Sequence, residues 1–257
     1  MPRIRFMDPS RNLAAAPTVG LTASSSATAL PVANIQHQDR TKVWRSTTVT
    51  GTPTIDLDLG AAQNVTAVCV ANVKLVGAGV LEVYQRGSSG APGAATIVGT
   101  LPTQDAETRA TFLFFNTVSA RHWQLKWTNP GAASDYAELG FVHLGTYFEP
   151  TQNVIVPTEA TRKDPSVLSA SVDGQVTVRR RTQYSNGSWV FQEVPEAQLD
   201  IYRPLWNGMG VGGVFFQVLD TSIAWTCWMA RVTGEFRKQF SVLSGRYNVG
   251  LPWEEVR

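Results

Sequence analysis

A chain of 257 residues, 43% of them hydrophobic, can bury a sizeable core without disulfide or metal staples, which excludes wholesale disorder. The formal net charge is +2, with eleven basic and ten acidic residues on either side of residue 150, so the charge balance points to neither a nucleic-acid nor an anionic-membrane partner. Charged residues make up only 16%, below the roughly 25% of an average soluble domain, a hint that neighbouring subunits cover part of the surface.

Residues 1–29, rich in Ala, Ser and Thr, read as an extended N-terminal arm or as edge strands. They lack the continuous apolar stretch of a secretory signal, and no run anywhere is long and apolar enough to span a membrane. The expectation is synthesis and folding in the cytosol. From residue 30 onward, short runs of period-two alternation are split by Gly, Pro, Asn and Asp, as in a series of strands. Residues 54–59 set Ile55, Leu57 and Leu59 against Asp56 and Asp58, and residues 65–71 are almost wholly apolar, as in a strand covered on both faces. Strands follow at 80–86 and 110–115, with a Gly/Ala/Pro/Ser loop at 87–95 between them. In 121–128, Trp123, Leu125 and Trp127 alternate with His122, Gln124 and Lys126. A last strand region at 139–148 completes an antiparallel sandwich over residues 30–150.

Residues 149–174 hold three prolines and no clear period, so a domain boundary is placed there, with 151–174 as a linker or arm. The second β-rich domain, 175–257, starts with strands at 175–181 and 188–194. Pro195 and Glu196 suit the first turn of one short helix carrying Leu199, Tyr202 and Trp206, which Pro204 should kink or stop. Strands are then expected at 214–219, 223–232, 236–243 and 246–251.

Chemical motifs are sparse. Asp56 and Asp58 share one strand face, where a carboxylate pair could in principle serve glycoside chemistry, but polar residues on the wet side of a half-buried strand account for them. Cys69 and Cys227 read as buried thiols, and the three histidines show no zinc spacing. The glycines of 208–213 follow a helix and precede a strand, the reverse of a dinucleotide site. No nucleophile elbow, P-loop or metalloprotease motif occurs, so no enzyme activity, cofactor or metal is expected. In the basic triplet 179–181, Arg179 and Arg181 are candidate subunit contacts. Among the loops, Tyr136 is the one aromatic candidate for glycan contact.

An ordered set of signals carries a family likeness. Leu30 to Asn34 is followed by Asp39, then by Thr41, Trp44, Arg45 and Ser46. Next come the Ile55–Gly60 run, Val65 to Val68, Leu81 to Tyr84, and Ala120 to Leu125. This order resembles the discoidin, or coagulation factor 5/8 type C, family of jelly-roll sandwiches. The resemblance implies that Trp44 is a packing anchor and Arg45 its structural neighbour; Trp123 and Trp127, placed at core periodicity on their strand, are read as further anchors.

The same block, together with the aromatic pattern of the second half and its Leu251–Val256 close, resembles distal and minor tail proteins of long-tailed bacteriophages (siphophages). That likeness implies a tail-tube-like second domain anchored by Trp206. It further implies a structural component of a virion tail tip or baseplate, built as a homo-oligomeric ring and contacting other phage tail proteins. The alternatives are a carbohydrate-binding module contacting a host surface glycan and, more remotely, an envelope-degrading hydrolase. Neither nucleic acid nor membrane insertion is implied.

Overall fold

The structure, a computed structural model, describes residues 4–7, 9–15, 20–47, 52–75, 79–86, 95–104, 106, 108–128, 136–150, 159–170, 176–179, 182–199, 202, 214–220, 226–234, 237–241 and 245–256. These residues are mostly strand, arranged in antiparallel sheets, with short 3-10 turns at Pro9–Arg11, Leu13–Ala15 and Val32–Gln36 and α-helical residues at 196–199 and 202. They fall into two compact units: Met1–Glu149 with Phe215–Met229, and Pro150–Val214 with Ala230–Arg257.

The first unit contains β1 (Arg5–Met7), β2 (Gly20–Ala23), β3 (Trp44–Arg45), β4 (Thr54–Ala71) and β5 (Val80–Arg86). Next come β6 (Thr96–Leu101), β7 (Ala110–Thr128), β8 (Glu138–Leu139), β9 (Val142–Gly145) and β10 (Tyr147–Phe148). The runs expected as four separate strands at 54–59, 65–71, 110–115 and 121–128 are two long ones, β4 and β7, paired along nearly their full length. Register shifts between Asp58 and Gln63, and between Val65 and Ala67, allow this. Bulges bend a strand without ending it, and Gly60 takes the positive φ of +75° that this bend needs.

Each half of β4 therefore has its own neighbours. The first half lies in the order β2-β4-β7-β5-β6, and the second half pairs with β9. The sandwich core is filled by alternate residues of these strands, including Ile55, Leu57, Val68, Val70, Leu81, Val83 and Leu125. Trp44, Trp123 and Trp127 are all buried in it. Trp44 stands 5.0 Å from Trp127 between ring centroids, and its Nε1–H donates to the Ser25 carbonyl at 3.1 Å.

The N-terminal residues are not a free arm. Ile4, Phe6 and Met7 are fully buried, and β1 pairs on one side with β10 and on the other with a strand from far downstream, β15 (Val214–Val218). Phe6 lies 6.2 Å from Phe215, and Phe141 stacks on Phe216 at 5.7 Å. The side chain of Asn12 ties the following turn to β9 by donating to Val142 O at 2.8 Å and accepting from the Leu144 amide at 3.0 Å. The chain thus returns to its first unit over Phe215–Met229, so a single boundary near residue 150 is an incomplete description. Contacts between the two ends of a chain leave no local pattern, which is why the sequence does not announce them.

The expected linker also holds regular structure, namely β11 (Glu159–Lys163) and β12 (Val167–Ala170). Strand β11, polar and bordered by prolines, lies at the edge of its sheet, where no buried alternation is needed. The rest of the second unit comprises β13 (Val176–Arg179), β14 (Tyr184–Pro195), the last three residues of β16 (Cys227–Val232), β17 (Arg237–Phe240) and β18 (Arg246–Glu255). Strand β18 is central: β14 flanks one side, with β11 beyond it, while β16 and β17 share the other. Clean alternation along β18 buries Tyr247, Val249, Leu251 and Trp253, and Trp253 stacks on Trp189 at 5.3 Å. Among the described residues, strands β12 and β13 pair only with each other. Trp206, Pro204, Arg181 and the glycines of 208–213 lie outside the described residues.

Candidate functional site

Where β4 and β6 end and β5 and β7 begin lie two adjoining depressions of about 500 and 310 Å³ that share Val73, Lys74 and Gln104. Both volumes fall in the range of small-molecule clefts. Arg40, Asn72, Arg109 and Glu138 line one of them, and Leu75, Val80 and Thr103 the other.

Hydrogen bonds hold the floor of this groove. Arg40 is only 7% exposed, and its Nη2 donates to Thr108 O at 2.9 Å, to Arg109 O at 3.2 Å and to Asn72 Oδ1 at 3.2 Å. Asn72 replies through Nδ2 to the Arg40 carbonyl at 2.7 Å, and its amide donates to Arg109 O at 2.8 Å. The Val73 amide donates to Gln104 Oε1 at 2.9 Å, and the Lys74 amide to Glu138 O at 3.0 Å.

Asn72 and Arg109 have φ of 55° and 50°, the left-handed region that non-glycine residues enter at a cost. Among the described residues of the first unit they are the two non-glycine residues with positive φ, and they are bonded to each other at the groove.

Two residues singled out from the sequence stand beside this floor. Arg45 donates to Glu138 Oε1, at 2.7 Å from Nε and 2.6 Å from Nη2, and its guanidinium carbon lies 5.9 Å from the centre of the Tyr136 ring. Tyr136 is 38% exposed. Arg179 is exposed in the second unit, on β13. The sequence reading missed Arg40, Asn72, Gln104 and Arg109. A readable signal existed for one of them: an asparagine closing a long apolar strand is a residue suited to a left-handed turn.

Asp56 and Asp58 lie elsewhere, on the outer face of the sheet, and both are engaged. Asp56 Oδ1 accepts from Arg86 at 3.0 Å and from Gln124 Nε2 at 2.7 Å. Asp58 takes both arms of Arg121, at 2.6 and 2.8 Å, and these bonds with the Gly60 amide hold its carboxyl well below the usual carboxylate range. Two carboxylates committed to arginine and glutamine partners are not set up as the free acid and base pair that glycoside cleavage requires. Cys69 and Cys227 are buried free thiols, and burial pushes both upward from the ordinary thiol range, which suits packing rather than nucleophilic work. No group of three or more His, Cys, Asp or Glu side chains among the described residues could hold a metal ion.

No family model and no curated protein matches the sequence. Among solved structures, similarity is found to chitosan-binding module 1 of a chitosanase/glucanase from Paenibacillus sp. IK-5, at 22% identity and a TM-score of 0.44, covering 52% of this chain and 98% of that one. A family 32 carbohydrate-binding module from Clostridium perfringens, in complex with galactose, matches at 12% identity and 0.41, covering 56% and 99%. A GH29 fucosidase from Ruminococcus gnavus matches at 14% identity and 0.45, covering 54% and 27%.

Proposed function

We propose that this chain is a non-catalytic binding module whose first unit contacts a saccharide through the groove bounded by Val73, Lys74, Gln104, Arg109 and Glu138. The observation that carries this reading is the pair of left-handed residues, Asn72 and Arg109, locked together on the groove floor. Left-handed backbone at an arginine, held in place by the buried Arg40, is the kind of strain that clusters at ligand-binding sites. Amide, ammonium and carboxylate groups along an open groove match the hydroxyl-rich surface of a sugar. Tyr136 beside it offers an aromatic face. An immobilised-sugar screen of the full chain tests the reading. Galactose, GalNAc-β-1,3-galactose and chitosan head the panel because they are named for the solved structures to which the chain is similar. Binding that Lys74→Ala or Tyr136→Ala weakens supports the groove. Binding indifferent to both variants places the contact elsewhere.

A second reading concerns assembly, and the second unit favours it. There β12 and β13 form a two-stranded ribbon with Val167 48% and Val178 51% exposed, and edge strand β17 carries Phe240 at 85%. A two-stranded ribbon is marginal on its own in water, and apolar side chains on open strands invite a partner. A structural role in a phage tail tip or baseplate, with this unit as the ring-forming half, would use those surfaces. Light scattering of the full chain at high concentration, compared with Val178→Asp and Phe240→Ser, tests it. A monomer at every concentration, for wild type and variants alike, would contradict self-assembly.

A further inference from the structure

The cleft between β4, β6 and β7 also says which sugars it should take. Three cations line the two depressions, Arg40, Lys74 and Arg109, against one carboxylate, Glu138, which the neighbouring Arg45 already neutralises at 2.6 Å. Arg40 is committed to the floor, its Nη2 bonded to Asn72, Thr108 and Arg109. Arg109 is different. Its carbonyl accepts from both Arg40 Nη2 and the Asn72 amide, which fixes the backbone at φ 50°, while the residue itself is exposed and lines the groove. A left-handed arginine is an uneconomical choice for a mere turn, since glycine or asparagine would adopt the same φ with less strain. The guanidinium is the part of this residue that the turn does not need.

Resting on the saccharide reading above, we propose that the groove takes an anionic saccharide and that Arg109 is the residue holding its charged group. A planar guanidinium matches a carboxylate with two parallel hydrogen bonds, and it binds a sulfate ester similarly. The lining charge works against a polyamine sugar such as chitosan, despite the similarity to a chitosan-binding module.

Calorimetric titration of the full chain with four probes tests this: an oligogalacturonate, galactose 6-sulfate, neutral galactose and a chitosan oligomer. The expected result is binding of one or both anions, weakening as salt rises, with galactose and chitosan at least about tenfold weaker. Preference for the oligogalacturonate assigns a carboxylate, and preference for the sulfated sugar a sulfate. Arg109→Gln should weaken the anion about tenfold to a hundredfold. Arg109→Gly should do the same while leaving the melting temperature unchanged or higher, because glycine relieves the strained φ. That separates loss of the ligand contact from loss of the fold. Equal or tighter binding of galactose or chitosan overturns the anionic assignment and leaves the saccharide reading standing. Full affinity for the anion in both Arg109 variants overturns the role of Arg109. If none of the four probes nor any sugar of the wider screen binds, both readings fall together.

Discussion

Acid should unfold this protein through one buried imidazole. His143 sits on β9 directly across the ladder from Cys69 and is 1% exposed, and burial lowers its pKa from 6.5 to about 3. In the unfolded chain it titrates near its ordinary value. Above pH 6.5 both states hold a neutral ring, so the stability is fully present. As pH falls from 6.5 towards 3 the unfolded state takes up a proton that the folded state refuses, and stability is lost progressively. One pH unit corresponds to about 1.4 kcal/mol, so moving from pH 6.5 to 4 should remove about 3 kcal/mol. That is a large share of the 5–15 kcal/mol typical of a folded protein. The carboxylates held low, Asp39 and Asp58, start from 3.8, so their loss sets in only at the acid end of this range and leaves the slope between pH 6.5 and 5 to the imidazole. Urea unfolding at half-unit steps between pH 7 and 4 measures the slope, and His143→Gln should flatten it. Equal slopes in wild type and variant would refute the reasoning.

The remaining predictions concern packing and chemistry. Trp44→Ala should destabilise the full chain by about 3–5 kcal/mol, because it empties a fully buried indole site and leaves the Ser25 carbonyl without its donor. A loss under about 1 kcal/mol in urea unfolding would contradict its role as an anchor. Gly140→Ala would place a methyl 2.7 Å from the Ala71 carbonyl oxygen, so a cost of about 1–3 kcal/mol is expected by the same assay, and an unchanged midpoint would contradict the close approach. The chain should turn over no glycoside, ester or peptide substrate and should be indifferent to chelators. Hydrolysis that vanishes in Asp56→Asn or Asp58→Asn would overturn the structural reading of those carboxylates.

Much of the sheet structure was legible because period-two burial leaves a mark in the residues themselves. The alternation Ile55, Leu57, Leu59 against Asp56, Asp58 appears in the structure as one strand face buried and the other carrying ion pairs. The continuity of β4 and β7 was not legible, since bulges around Gly60 and Val65 look like turns when read locally. Nor was the return of Phe215–Met229 to β1, a pairing between residues some two hundred positions apart. Strand β6 was passed over because Thr96–Leu101 shows no burial alternation, with only Leu101 buried. For the site, Arg45 and Tyr136 came from motif and loop composition. The groove floor did not, because nothing in the neighbours of Arg40 or Arg109 betrays that their chain segments meet around Asn72.

The proposed saccharide role of the groove is tested most directly by mapping amide chemical shifts of the isotope-labelled full chain during titration with an oligogalacturonate. The amides of Val73, Lys74 and Arg109 should move first and saturate together, and Arg109→Gln should abolish the shifts at the same sugar concentration. Shifts confined to the outer sheet face around Asp56 and Arg86, or an unchanged response in Arg109→Gln, would contradict it.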